Sequence, residues 1–359
     1  MPKIDDLLKI VKSAGASDLH LVAGSVPLIR VHGQLEKTRH RRLSDNEVTQ
    51  LLYEILSDDQ IRGFERSGDL DLAYGTPGIG RFRINVYKTH RGAGGAIRVI
   101  PEQPSDLVTL GFSPAVNKLV ENKAGLVLVT GPTNSGKTTT LAGMVEHINV
   151  NFSRHIVTLE DPIEYIHANK NSLVTQREIG LHSASFSSGL RAALREDPDV
   201  ILVGEMRDME TISLAITAAE VGLLVLGTLH TSSAAATVER IIEVFPVDQQ
   251  QQVRVMLADS IGGVVSQQLP RRADGQGRVV AYELMVRSSS IVGMIREHKT
   301  YQLHTAIQTG GKQGMQLLDN HLKELVDAGK IGPGEAVRCA NDPSRFAETQ
   351  KPKMATART

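Results

Sequence analysis

Residues Gly125 to Thr140, GLVLVTGPTNSGKTTT, constrain the chain more than any other stretch. Leu126, Val127, Leu128 and Val129 form an unbroken apolar run, which predicts a strand covered on both faces, since a half-exposed strand alternates polar with apolar. A glycine-rich turn, a lysine and hydroxyls follow at once: Gly131, Pro132, Thr133, Asn134, Ser135, Gly136, Lys137, Thr138 and Thr139. Gly131, Gly136, Lys137 and Thr138 occupy the fixed positions of Gly-x-x-x-x-Gly-Lys-Ser/Thr, a phosphate-binding loop. A triphosphate must be wrapped by backbone amides, and glycine lets the backbone approach that closely. A helix opening near Gly136 turns its free N–H groups and positive dipole end toward the anion. Lys137 then reaches the β- and γ-phosphates as a point charge, and the Thr138 hydroxyl holds Mg²⁺. Asn134 is expected in the left-handed backbone region, where Asn is the usual alternative to glycine. The competing reading, a chance match in a glycine-rich turn, is disfavoured by the strand before the loop and the helix after it.

A chain of 359 residues is long enough for two domains with separate cores. Its formal net charge of +0, from 40 basic and 40 acidic residues, supplies no global field for nucleic acid, and 4% aromatic residues offer little for base stacking. No nucleic-acid partner is expected. The single cysteine, Cys339, excludes an internal disulfide and a multi-cysteine zinc module, and points to a reducing compartment. The longest apolar runs fall far short of the ~20 residues that span a bilayer, and Met1-Pro2-Lys3 leads into an acidic helical pattern with no signal-peptide core. A cytoplasmic protein is the expectation.

Ile4, Leu7, Leu8 and Val11 are spaced for an amphipathic first helix. Short strands are predicted at Asp18 to Val22 and Pro27 to His32, with Gly24 and Gly33 at their ends. Ser44 and Glu47 form a capping box ahead of Val48, Leu51, Leu52 and Ile55. Strands return at Asp69 to Tyr74, Arg81 to Tyr87 and Ala96 to Ile100, which gives residues 1–100 a small α+β domain with helices on an antiparallel sheet. Arg81 and Arg83 alternate with Phe82 and Ile84, so both project from one strand face, with Arg98 on a nearby strand. Pattern alone favours solvated surface over arginines aimed at a phosphate outside their own pocket. The cluster Arg39-His40-Arg41-Arg42 reads as a solvated loop. Residues 101–114, punctuated by Pro101, Pro104, Gly111 and Pro114, read as a linker, and the polar tail 342–359 as disordered.

After the phosphate loop, strand and helix alternate, which calls for a parallel sheet in a second domain, residues 115–341. Strands are expected at His155 to Leu159, Asp199 to Val203 and Leu223 onward through Leu229. Each finishes on polar residues: Glu160, Asp161 and Glu164 after the first, Glu205 after the second, His230 after the third. Ligands of open parallel sheets bind beyond the carboxyl ends of the strands, so these side chains are expected to converge. Triphosphate hydrolysis needs a carboxylate to activate water and acid near Mg²⁺. Glu205 and Glu160 are the metal-shell candidates beside Thr138, and Glu164 and Glu205 the catalytic acids. Plainer roles remain open: Asp161 as a helix cap, Glu160 paired with a local arginine, His230 hydrogen-bonded in place. Arg191 and Arg195 stand on a helix and read as salt-bridged surface. Val238, Ile241 and Ile242, then Val253, Leu257 and Ile261, mark two later helices.

Taken together, GPTNSGKTTT, TLEDPIEYIH, LRAALREDPDVILVGEMRD and GTLHTSSAA resemble the secretion-type ATPases, and among them most nearly the retraction motors of type IV pili. ASDLHL, GRFRINVYKTHRGAGGAIR and AIQTGGKQGMQLLD extend the resemblance over roughly residues 3 to 340. It implies a PAS-like N-terminal domain, a RecA-like ATPase domain, and a homohexamer that binds ATP and Mg²⁺ between subunits. It further implies Glu164 as general base, Glu205 as an atypical Walker B acid, His230 as part of a histidine box, and Arg81, Arg83 and Arg98 as candidates to act in trans. An inner-membrane pilus platform protein and a second retraction ATPase are the implied partners, with the chain peripheral at the inner membrane. Three features depart from the family pattern: Asn134 replaces a usual glycine, Leu223 replaces a second histidine, and Ser290 to Glu297 retains the last three residues of a retraction-linked motif but not its middle. The alternatives are an accessory paralogue, an assembly ATPase, a RecA-like nucleic-acid motor and a nucleotide-gated scaffold.

Overall fold

The computed structural model describes residues 2–31, 34–100 and 103–350. Strand ends predicted at His32 and Gly33, Pro101 of the linker, and residues 351–359 lie outside that range. The chain divides into two compact units, Met1–Gln103 with Pro162–Ile166, and Pro104–Asp161 with His167–Thr359.

In the first unit the strands are β1 (Asp18–Val22), β2 (Leu28–Val31), β3 (Gln34–Lys37), β4 (Asp69–Thr76), β5 (Gly80–Thr89) and β6 (Gly92–Ile100). They form one antiparallel sheet in the order β3-β2-β1-β6-β5-β4. Along β5, Phe82, Ile84 and Val86 are buried, so the period of two leaves Arg81 and Arg83 together on the opposite face. The helices Ile4–Ser13 and Asp45–Tyr53 stand where the apolar spacing puts them, except that the second ends before Ile55. Ser44 accepts from the Glu47 amide at 3.4 Å and donates its own amide to the Glu47 carboxylate at 2.8 Å, completing the capping box. A helix Asp58–Ser67 adds to the expected elements; Ser57 and Gln60 carry the same cap signature, and the helix buries Phe64.

The second unit contains β7 (Gly125–Thr130), β8 (His155–Glu160), β9 (Leu173–Glu178), β10 (Val200–Val203), β11 (Leu224–Leu229), β12 (Ile261–Gln268) and β13 (Ala281–Val286). Their order is β13-β12-β7-β11-β10-β8-β9, parallel except for β13. Every residue of β7 is buried, the placement its apolar run requires. This is the α/β class with a parallel sheet that the alternation of elements predicts. Ile261 is a difference: it opens β12 and does not extend the helix Val247–Ser260, because Gly262 and Gly263 end helical preference there.

The stretch expected to be a linker packs into the second unit. Leu107 and Phe112 are buried, the Phe112 ring lies 4.8 Å from that of Tyr282, and the Ser113 amide donates to the Tyr282 hydroxyl at 2.9 Å. The described part of the tail, as far as Gln350, departs from the expected disorder: a 3₁₀ helix spans Pro343–Gln350, and Phe346 is buried with Leu318, Leu322, Leu325 and the free thiol of Cys339. One aromatic in an otherwise polar segment supplies the anchor. Among the described residues no helix is long and apolar enough to cross a membrane.

Glu283 on β13 is buried and accepts from the Ala234 amide at 2.7 Å, at the start of the helix Ala234–Glu243. Burial pushes its pKa up from 4.5 to about 6; the amide bond opposes the shift and Asp319 adds to it. Because the folded value exceeds the unfolded one, the stabilisation is complete below the ordinary carboxylate range and is lost as pH rises through about 6. The loss is about 2 kcal/mol. Denaturation of wild type and Glu283→Gln between acidic and neutral pH should show the wild type losing that much more stability than the variant. Parallel profiles would contradict it.

Candidate functional site

The end of β7 leads directly into the phosphate loop. Gly131 has φ 142° and Asn134 has φ 65°, the left-handed conformation expected there and one open to either Asn or Gly. Gly136, at φ 88°, caps the helix Lys137–Asn151, whose free amides face the loop. A Cβ on Gly131 would lie 2.3 Å from the Gln267 carbonyl oxygen, so that position is closed to any other residue.

Lys137 folds back over its own loop. Its Nζ donates to the carbonyls of Gly131 at 2.9 Å and Pro132 at 3.1 Å. Burial lowers its pKa, and Glu205 partly opposes the shift. His230, just after β11, bridges the lysine and that acid: Nδ1 lies 3.4 Å from Lys137 Nζ, and Nε2 lies 2.9 Å from Glu205 Oε1. Lysine only donates and carboxylate only accepts, so an imidazole protonated on Nε2 satisfies both. Arg207 holds the same carboxylate oxygen as His230. Glu160, the last residue of β8, accepts from the Thr158 hydroxyl at 2.7 Å and from Gln176 Nε2 at 3.1 Å. Lys137, Glu205 and His230 thus meet at the carboxyl ends of parallel strands, as the topology predicts.

Glu164 has a different address. With Pro162–Ile166 it belongs to the first unit, although the chain on either side belongs to the second. Arg81 donates from Nε to the Glu164 carbonyl at 2.9 Å and from Nη2 to the Ile163 carbonyl at 2.6 Å. Arg83 Nη1 donates to Glu164 Oε1 at 2.9 Å, with Asp71 at 3.8 Å from its Nε. Arg98 pairs across the strands with Arg83 in backbone register, but its guanidinium lies 3.1 Å from Asp18. The arginine row is therefore neither bare surface nor a single cluster: two members hold the acidic segment and the third holds β1.

A cavity of about 450 Å³ borders the loop in the second unit, lined among others by Pro132, Asn134, Leu269, Arg271 and Arg278. That is the size of a small-ligand site. Arg278 Nη1 donates to the Asn134 carbonyl at 3.4 Å. The sequence reading missed Leu269, Arg271 and Arg278, which follow β12, and Gln267, which lies near its end. The signal present was the polar close of that strand, Ser266, Gln267 and Gln268, which matches the other polar strand ends.

Oxygen donors dominate what a metal could use here. Thr138, Glu205 and Glu160 supply a hydroxyl and carboxylates, a set that suits Mg²⁺. Among the described residues no group of three or more His, Cys, Asp or Glu could hold a metal alone. A cation completed by phosphate oxygens fits that donor set.

Residues 1–329 match the model of the family described as type II/IV secretion system protein. The type IV pilus retraction ATPase PilT of Pseudomonas aeruginosa is 47% identical over 343 residues, covering 96% of this chain and 99% of that protein. The type IV pilus ATPase PilU of the same organism is 35% identical over 339 residues, covering 94% and 89%. A crystal structure of the pilus retraction motor PilT with bound ADP superposes with a TM-score of 0.86 at 42% identity, covering 94% of this chain and 98% of that one.

Proposed function

The chain belongs to the type II/IV secretion system protein family, and from that premise we propose that it is a hexameric Mg²⁺-dependent ATPase that powers retraction of type IV pili. The observation that carries the reading is the loop of Gly131 to Thr139 with Lys137, His230 and Glu205 gathered at its mouth. The higher identity to PilT than to PilU supports a retraction motor over an accessory paralogue.

The loop amides and the N-terminus of the helix Lys137–Asn151 bind the phosphates, and Lys137 turns from its loop carbonyls to the β- and γ-oxygens. Thr138, Glu205 and Glu160 are the residues that would hold Mg²⁺, which spreads the charge developing on the transferred group. Glu164 takes the proton from the attacking water. His230 senses the γ-phosphate through its bond to Glu205. Arg81, Arg83 and Arg98 are the candidates for the arginine that stabilises the transition state in a neighbouring subunit. The work is delivered to an inner-membrane pilus platform protein, with the ring peripheral at the cytoplasmic face and a second retraction ATPase as a further partner.

Steady-state hydrolysis of Mg-ATP, measured alongside light scattering, tests the proposal. Turnover by a particle of six subunits is expected. Tight ATP binding with no turnover would replace the motor by a nucleotide-gated scaffold.

A further inference from the structure

Both glycines of the phosphate loop are crowded by one residue that lies more than 130 positions further on. Gln267, buried near the end of β12, puts its carbonyl oxygen 2.3 Å from where a Gly131 Cβ would stand, and its Nε2 3.3 Å from that of Gly136. Its side chain joins the end of the turn to the first turn of the helix that follows: Nε2 donates to the Ser135 carbonyl at 2.6 Å, and Oε1 accepts from the Thr140 hydroxyl at 2.9 Å. Thr140 shares that proton with the Gly136 carbonyl, 3.2 Å away. The buried Ser135 hydroxyl has no hydrogen-bond partner among the described residues, so the loop's own side chain does not fix this peptide.

We infer that Gln267 is the positioning residue of the phosphate loop, setting the orientation of the peptide between Ser135 and Gly136 and thereby the affinity for nucleotide phosphates. In a trans peptide the carbonyl and the following N–H point in opposite directions. Holding the Ser135 carbonyl on Gln267 therefore turns the Gly136 amide to the side away from β12. Thr140 orients the amide of Gln267, so that its donor and not its acceptor faces the carbonyl. A leucine at this position has nearly the same bulk but leaves the carbonyl buried and unpaired, which favours rotation of the peptide.

The inference rests on the nucleotide-binding reading, and calorimetric titration of ADP into the full-length chain separates the two. If the wild type does not bind ADP, the nucleotide reading itself fails. If it binds, Gln267→Leu should raise the ADP dissociation constant and the KM for ATP roughly ten- to hundred-fold, while kcat changes little. Thr140→Val should weaken binding less, and adding it to Gln267→Leu should cost nothing further. An unchanged ADP affinity in a folded Gln267→Leu chain, with only the melting temperature lowered, overturns the inference.

Gln267→Glu provides a second route should the leucine variant not fold. Ionised, the glutamate presents an oxygen to the Ser135 carbonyl; protonated, it restores a donor there. Relative to wild type at each pH, its ADP affinity should recover as pH falls. A ratio that stays constant with pH also overturns the inference.

Discussion

Replacing Glu164 with glutamine should lower kcat for ATP hydrolysis by about 10²- to 10⁴-fold, the usual contribution of a general base, and leave ADP affinity unchanged. The placement of the segment explains why so clean a separation is expected. Arg81 grips the backbone carbonyls of Ile163 and Glu164, which do not depend on the side chain at 164. Glutamine keeps an oxygen for Arg83 Nη1, the donor that lies 2.9 Å from the native carboxylate. The substitution therefore removes proton-accepting capacity and keeps position. Steady-state turnover together with ADP titration checks it. A variant that retains a third or more of wild-type kcat would remove Glu164 from the role of base and return the question to Glu160 and Asp161.

Lys137→Ala should reduce kcat by about 10²- to 10³-fold, comparable to deleting one electrostatic donor to a transition state, and should weaken ATP binding as well. Lys137→Arg should not restore activity. The ammonium folds onto the carbonyls of Gly131 and Pro132 within a tight turn, and a planar guanidinium cannot reproduce that compact contact. On the proposed ring mechanism, in which each subunit's step is coupled to its neighbours, the loss in mixed assemblies should exceed the fraction of Lys137→Ala subunits. Activity falling in strict proportion to dose would instead mean that the sites fire independently.

Much of this could be read along the chain where the signal is local. The apolar run Leu126 to Val129 is a fully buried strand, and the Ser44–Glu47 capping box forms as written. Strand ends at Glu160, Glu205 and His230 lie where a parallel sheet places them. What escaped the reading depends on distant pairing. The Arg81–Glu164 carbonyl bond joins residues 83 positions apart, and no periodicity encodes it. β12 follows the helix Val247–Ser260 without an intervening loop, so Ile261 fell in step with the helical spacing of Val253 and Leu257. Gln267 looks like any polar residue near a strand end until the loop it braces is brought beside it.

The chain passes from one unit to the other at Gln103/Pro104, at Asp161/Pro162 and again at Ile166/His167. The N-terminal unit is consequently not a severable cassette. A fragment ending at Gln103 would lose the Ile163 and Glu164 carbonyls that accept from Arg81 and the nearer carboxylate partner of Arg83, Glu164, and would keep only the more distant Asp71 beside Arg83. Recombination that exchanged only the first hundred residues between two relatives would couple the arginines of one parent to the acidic segment of the other. A chimera should therefore work best when position 83 and the carboxylate at 164 come from parents in which that pair is an arginine and a glutamate.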